Sequence, residues 1–280
     1  MLERFVQLED TVKSTVALIE KDLPHLSALD WQVAKDLCRV LKPLENATKT
    51  ISGDQYITGS MVIPLTNGVY SVYMNLKNKN NIQESAMKVV ISIIKGLDDR
   101  LGNLERSKTF AVSTYLDPRF KAYAFKDEIC AETAKKIVTA AVAHHVSLKA
   151  KPTGDQVEKV PNTEDSRVDE DDELSIWSSL EKSTATVKPK GTATSRALME
   201  VQRYMEEDLL PRNDNPLDWW REHKYSYPYL SIVAQEKLSI VATSVPCERI
   251  FSKAGLVISD RRNRLSGNKV DKILFLNMNT

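Results

Sequence analysis

Cysteine is scarce in this sequence. Cys38, Cys130 and Cys247 are far apart, and no Cys-x-x-Cys pair or nearby histidine pair accompanies them. This number and spacing argue against a structural metal or a disulfide framework. No apolar run reaches the roughly 20 residues that span a bilayer, and the N-terminus lacks the apolar core of a signal peptide. We therefore expect an intracellular, reducing compartment.

Neither sign of charge dominates, because 39 Lys and Arg residues stand against 38 Asp and Glu residues, for a formal net charge of +1. The balance hides local patches. Over 149–194 the composition shifts to Lys, Pro, Thr, Ser, Asp and Glu, with an acidic block at 169–173. Such a stretch buries too little apolar surface to offset its ordering entropy, so we predict a disordered acidic and polar linker. It separates two predicted domains, 1–148 and 195–280.

Apolar residues recur at helical spacing through 1–148, which predicts a mainly α-helical, bundle-like domain. Ser27 and Asp30 form a predicted capping box at one helix start. By contrast, Phe110–Tyr115 is short, apolar and partly β-branched, which predicts an extended segment. The following pair, Asp117 and Pro118, is typical of a helix start, so we assign Asp117 to capping rather than catalysis.

Residues 243–278 predict two short helices joined by a basic turn. Ser244 and Pro246 favour the first helix start, and Gly255 favours a left-handed exit from that helix. Its predicted buried stripe is Cys247, Ile250, Phe251 and Ala254. The second helix begins near Ser266 and is too apolar to be stable alone in water, with one face formed by Val270, Ile273, Leu274 and Asn277, beside Phe275 and Leu276. We expect this helix to dock.

The segments TSVPCERIFSKAG, SDRRNRL and KILFLN, preceded by PLDWWREHKYSYPYLSIVAQEKLSI, resemble the C-terminal dimerisation region of hAT-family transposases and of BED zinc-finger proteins derived from them. LDPRFK at 116–121 is similar to the central region of that family. The resemblance implies a helical insertion domain over 1–148. It also implies a dimerisation region over 195–280 that completes an RNase H-like domain, whose strands are mostly missing from this sequence. A nuclear, DNA-associated protein of transposable-element origin would fit this pattern.

Glu248, in the motif Pro-Cys-Glu-Arg, is by the same resemblance the third carboxylate of a two-metal nuclease centre. The two aspartates of that centre would lie upstream of the segment that matches Met1–Phe5, and the chain opens in mid-helical pattern, so we expect it to be cut from something longer. One carboxylate does not hold two metal ions, so we expect neither nuclease activity nor a cofactor for this chain. Alternatively, the chain is a fragment of an active hAT transposase in which Glu248 completes a Mg²⁺ or Mn²⁺ triad. A third interpretation makes Glu248 a helix-start acid without chemistry.

Self-association, as a homodimer or higher oligomer, is the function that the apolar C-terminal residues favour. The predicted dimerisation residues are Trp219, Trp220, Ile250, Phe251, Leu256, Leu274 and Phe275. A rival interpretation places these residues in the core of their own chain. We expect no membrane partner.

Basic residues of the closing stretch predict salt-dependent contacts with DNA phosphates. The predicted DNA-contacting residues are Lys253, Arg261, Arg262, Arg264 and Trp31. A solvated face is the commoner meaning of a basic run, and Arg262 and Arg264 alternatively pair with Glu248 or cap backbone carbonyls. Trp31 is similar in placement to the tryptophan with which these transposases stack a flipped base, but burial in the core is the favoured interpretation.

Overall fold

A computed structural model of the protein describes residues 1–19, 26–53, 56–79, 81–150, 191–258 and 265–279. Within these ranges the chain is mainly α-helical, as the hydrophobic pattern predicts, and contains no strand. The RNase H-like completion therefore stays a prediction. The helices are α1 (Leu2–Gln7), α2 (Glu9–Leu18), α3 (Ala28–Ile51), α4 (Val62–Lys77), α5 (Glu84–Leu101), α6 (Lys108–Leu116), α7 (Glu128–Ala150), α8 (Ala193–Glu206), α9 (Pro216–His223), α10 (Leu230–Leu238), α11 (Val245–Val257) and α12 (Gly267–Asn279).

Helices α3, α4 and α5 enclose a first hydrophobic core, whose buried members are Val40, Tyr73, Val90 and Ile94. The predicted capping box begins α3. Asp30 N–H donates to Ser27 Oγ at 3.2 Å, and Ser27 N–H donates to Asp30 Oδ2 at 2.8 Å. Because these bonds satisfy backbone donors that a helix start leaves unpaired, they fix where α3 begins.

A second, larger core gathers α6, α7, α8, α9 and α10 around a cluster that includes Tyr115, Val138, Val201, Trp220 and Leu230. Its central element corrects one sequence prediction, because Phe110–Tyr115 is not extended but lies in α6. Every residue of α6 from Ala111 to Leu116 is buried. A short segment that is apolar on all sides has no periodicity to separate a buried helix from a strand, and packing on every side favours the helix here.

This second core joins residues from both predicted domains, 1–148 and 195–280. Three carbonyls at the end of α6 and just beyond it receive hydrogen bonds from the later range. Tyr204 Oη donates to Tyr115 O at 3.2 Å, Trp220 Nε1 donates to Leu116 O at 3.0 Å, and Leu210 N–H donates to Pro118 O at 3.0 Å. Residues of both ranges therefore contribute to one packed body.

Asp117 and Arg119 of the LDPRFK segment form a buried ion pair, with Arg119 Nη2 at 2.7 Å from Asp117 Oδ2. The same carboxylate oxygen accepts a hydrogen bond from Ser60 Oγ at 2.6 Å. Asp117 is fully buried. It therefore acts as a structural junction between α6 and the 3-10 turn Gly59–Met61, rather than as a helix cap.

The ring of Tyr229 brings together the end of α7 and the start of α8. Lys149 Nζ lies 5.8 Å from the centre of this ring, and Arg196 Cζ lies 5.5 Å from it. One turn further along α8, Glu200 reaches the start of α10, where its Oε1 accepts from Tyr229 N–H at 2.9 Å and from Leu230 N–H at 2.7 Å. A buried carboxylate thus caps a neighbouring helix.

Candidate self-association surface

Helices α11 and α12 pack against each other as a hairpin at the end of the described chain. On α11, the half-buried side chains Ile250, Ala254 and Val257 follow the helical period, and on α12 Val270 is buried and Leu274 is half-buried. The expected docking of the second helix is therefore confirmed, with α11 as its partner. Two members of the predicted stripe, Cys247 and Phe251, are instead exposed.

The rest of the hairpin carries large apolar side chains that face solvent. Phe251 is 74% exposed, Leu256 is 77% exposed and Phe275 is 68% exposed. We define the hairpin surface as the exposed apolar set Phe251, Leu256, Ile258, Ile273, Phe275 and Leu276. The sequence placed Ile273 on the docking face of α12 with Val270 and Leu274, but Ile273 is exposed. Helical spacing shows which residues share a face, but it does not show how much of that face a neighbouring helix covers.

Two expectations about α11 itself need correction. Ser244 stands at the N-cap position but does not accept a backbone hydrogen bond; its hydroxyl donates to Glu248 Oε1 at 2.6 Å. Gly255 does not end the helix in a left-handed conformation, since α11 continues to Val257. The backbone around Gly255 has regular helical neighbours and open space, so the helix has no local reason to stop there.

Glu248 is exposed, and its carboxylate accepts a hydrogen bond from the hydroxyl of Ser244, one turn earlier in α11. In the described part of the chain no three His, Cys, Asp or Glu side chains gather in the way that would hold a metal ion. Among the residues that the structure describes, Glu248 therefore lacks the neighbouring carboxylates that a two-metal centre needs.

The two neighbouring tryptophans belong to the body and not to the hairpin. Trp220 is 5% exposed, and its ring centre lies 5.2 Å from that of Tyr204. Trp219 is half-buried and stacks on His223, with ring centres 4.0 Å apart. Burial of Trp220 in its own chain removes it from the predicted dimerisation residues, because its ring and its N–H are already used internally.

The predicted DNA-contacting residues are scattered. Lys253 is exposed on α11, and Lys269 and Lys272 are exposed on α12. Arg261, Arg262 and Arg264 lie outside the described residues. Trp31 is 3% exposed and stacks on Phe5 with ring centres 4.9 Å apart, so the structure places it in the interior and leaves no ring face for a base.

No described helix combines the length and the apolar character needed to cross a membrane.

Comparison with known proteins agrees with this arrangement. Residues 200–280 match the family described as the hAT family C-terminal dimerisation region. The chain is 26% identical to human zinc finger BED domain-containing protein 4, over 100% of this chain and 23% of that protein. It is 25% identical to zinc finger BED domain-containing protein DAYSLEEPER of Arabidopsis thaliana, over 89% of this chain and 34% of that protein. It is 23% identical to the putative AC transposase of Zea mays, over 88% of this chain and 31% of that protein.

The described part of the chain is thus mainly α-helical, and the chain is similar to BED zinc-finger proteins and to a putative transposase over most of its length. More particularly, residues 200–280 match the C-terminal dimerisation region of the hAT family, as the resemblance implied. The chain spans between 23% and 34% of the length of these relatives.

Proposed function

We propose that this protein self-associates through the hairpin surface, as the dimerisation part of a nuclear, DNA-associated protein derived from a transposase. The observation that carries the proposal is the exposure of Phe251, Leu256 and Phe275 on a hairpin that belongs to a matched dimerisation region. Large apolar side chains exposed on a surface favour an interface, and two-fold symmetric dimers are the commonest outcome.

The size of the patch sets the expected affinity. Complete burial of one large apolar side chain contributes about 1.5–3 kcal/mol. Each hairpin surface carries several such side chains that are about two-thirds exposed, so a partner could bury most of their area. Association costs about 4–15 kcal/mol in lost translational and rotational freedom before any surplus appears as affinity. A dissociation constant on the order of 1 μM corresponds to a surplus of about −8 kcal/mol, so micromolar protein is the range in which we look for the dimer.

Sedimentation equilibrium at micromolar concentration tests the proposal. The wild-type chain should sediment as a dimer, and Phe251→Ser should sediment as a monomer with an unchanged circular-dichroism spectrum. Tyr225→Ser is the matched control, because Tyr225 is 85% exposed on the body and not on the hairpin. A monomeric wild-type chain would contradict the proposal, and unfolding of Phe251→Ser would favour the rival intrachain role.

DNA association is the second part of the proposal and is supported by Lys253, Lys269 and Lys272, which are exposed on the same hairpin. Phosphate contacts release counterions, so the logarithm of the binding constant should fall linearly with that of the salt concentration. Fluorescence anisotropy with a labelled duplex should show that slope, and Lys269→Glu with Lys272→Glu should reduce it. Binding that ignores salt would argue against phosphate contact.

We expect no nuclease activity from this chain by itself. A carboxylate triad with Mg²⁺ or Mn²⁺ remains a hypothesis for a longer protein that supplies two further acids. The chain with either metal ion and a labelled duplex should give no cutting. Metal-dependent nicking that Glu248→Gln abolishes would overturn this expectation.

A further inference from the structure

We propose that Thr58 and Gly59 are positioning residues for self-association: they hold the segment 239–244 and so fix the direction in which the hairpin leaves the body. The inference rests on the proposed function of the hairpin surface and deepens it. Thr58 and Gly59 lie far from the hairpin in sequence and do not contribute to its apolar surface.

The hairpin is joined to the body by 239–244, and two hydrogen bonds hold this connection. Gly59 N–H donates to Ile240 O at 3.1 Å, and Ala242 N–H donates to Thr58 Oγ1 at 3.0 Å. Ile240 and Ala242 of the connection are thus bound to the consecutive residues Gly59 and Thr58, at the start of the 3-10 turn. Two such bonds restrict rotation about the connection, whereas one bond alone would act as a pivot.

The turn itself is rigidly held by the second core. Thr58 is 3% exposed and Ser60 is fully buried. Ser60 Oγ donates to Asp117 Oδ2 at 2.6 Å, and Ser60 O accepts from Thr114 Oγ1 at 2.9 Å. The fastening point for the hairpin is therefore part of the packed body.

Glycine is needed at position 59 because of close approach. A Cβ built on Gly59 would lie closer to the carbonyl oxygen of Ile240 than the 3.0 Å that real Cβ atoms keep. Gly59 is not in the left-handed region, which among the described glycines only Gly191 occupies. Any side chain at position 59 must consequently push the connection away from the turn.

Loss of the two hydrogen bonds between 239–244 and residues Thr58 and Gly59 would reduce the fraction of molecules whose hairpin has the orientation that dimerisation needs. The apparent dissociation constant rises in inverse proportion to the competent fraction of each partner. If release lowers that fraction to about one third in each of two copies, the dimer weakens about tenfold. The hairpin surface itself remains intact in this case.

The test compares Gly59→Ala and Thr58→Val with Gly68→Ala, whose added Cβ meets no atom within 4 Å. Sedimentation gives the dissociation constant, thermal unfolding gives the stability of the body, and hydrogen exchange gives the protection of the Ala242 amide. We expect both variants, but not the control, to weaken the dimer about tenfold and to lose protection at Ala242 while the body stays folded. If Gly59→Ala does not fold, Thr58→Val alone decides, because it keeps the shape of the side chain.

The outcomes separate this inference from the proposed function. A monomeric wild-type chain would overturn the proposed function and this inference with it. A wild-type dimer whose dissociation constant does not change in Thr58→Val, although Ala242 loses protection, would overturn the positioning role alone.

Discussion

The ammonium group of Lys121 lies 2.7 Å from the carbonyl oxygen of Tyr204 and donates a second hydrogen bond to the carbonyl of Glu207. Both carbonyls are at the C-terminal end of α8, where backbone acceptors lack partners within the helix. Lys121 is fully buried, and burial lowers the pKa of its ammonium group below the ordinary value. A lysine of the LDPRFK segment therefore caps a helix of the later range of the chain, which suits a cation at the negative end of the helix dipole.

Replacing Lys121 by Met should destabilise the protein by about 3 kcal/mol. Each of the two lost hydrogen bonds to the charged group contributes about 1.5–3 kcal/mol, and part of this loss is offset because the variant no longer buries a charge. Urea unfolding measures the change. Lys126→Met is the control, since Lys126 is exposed and lies over the ring of Tyr70. Equal stabilities for the two variants would contradict the capping role.

Glu200→Gln should be at least as stable as the wild type at neutral pH, because burial raises the pKa of the Glu200 carboxyl and makes its ionised form costly. The folded state then binds the proton more tightly than the unfolded state. Its contribution to stability is fully present below the unfolded pKa near 4.5 and is lost as pH rises through the higher folded pKa. The advantage of the Gln variant should accordingly disappear in acid.

Glu200→Ala is the matched variant, and it should lose about 2 kcal/mol at any pH because Tyr229 and Leu230 then have unpaired backbone donors. Urea melts at several pH values measure all three proteins. A constant difference between Gln and Glu across that range would refute the role of the charge.

Tyr73 predicts how the fold responds to alkali. Burial raises the pKa of its hydroxyl from 10.0 to about 12, and the hydroxyl donates to Val40 O at 2.6 Å. Because the folded pKa is higher, the stabilising contribution is fully present below the unfolded pKa and is lost as pH rises through the folded value. Tyr73→Phe should cost about 1 kcal/mol at neutral pH and should reduce the loss of stability in alkali. Tyrosinate absorbance together with urea melts tests this, with Tyr123→Phe as an exposed control.

Trp220→Phe should destabilise the body by about 2–3 kcal/mol, because it removes buried ring volume and the hydrogen bond to Leu116 O. Trp219→Phe should cost less, since Trp219 is only half-buried. Thermal unfolding measures both. Neither variant should change the dissociation constant of the dimer, and a weaker dimer with a folded body would return Trp220 to the interface.

The sequence correctly predicted features that depend on interactions between residues close together in the chain. The capping box at Ser27 and the two helices of the hairpin follow from residues within one or two turns of each other. The helix α6 was missed because its apolar residues show no preferred face, and only its packing in the second core selects the helix.

Contacts between distant parts of the chain could not be predicted from the sequence. The approach of Gly59 to Ile240 and the hydrogen bond from Lys121 to Tyr204 each join residues more than eighty positions apart. A lone glycine or lysine carries no mark of such a partner. For the same reason the sequence analysis placed a domain boundary at the polar stretch 149–194, although the helices on either side of it, α7 and α8, pack together.

The ring of Tyr229 has a practical consequence for the polar stretch. Lys149 and Arg196 both lie within 6 Å of its centre, so the chain leaves α7 and enters α8 at one corner of the body. Closing a loop whose ends already meet costs little extra free energy as the loop lengthens or shortens. This corner is consequently the place to graft a fluorescent reporter or an affinity tag.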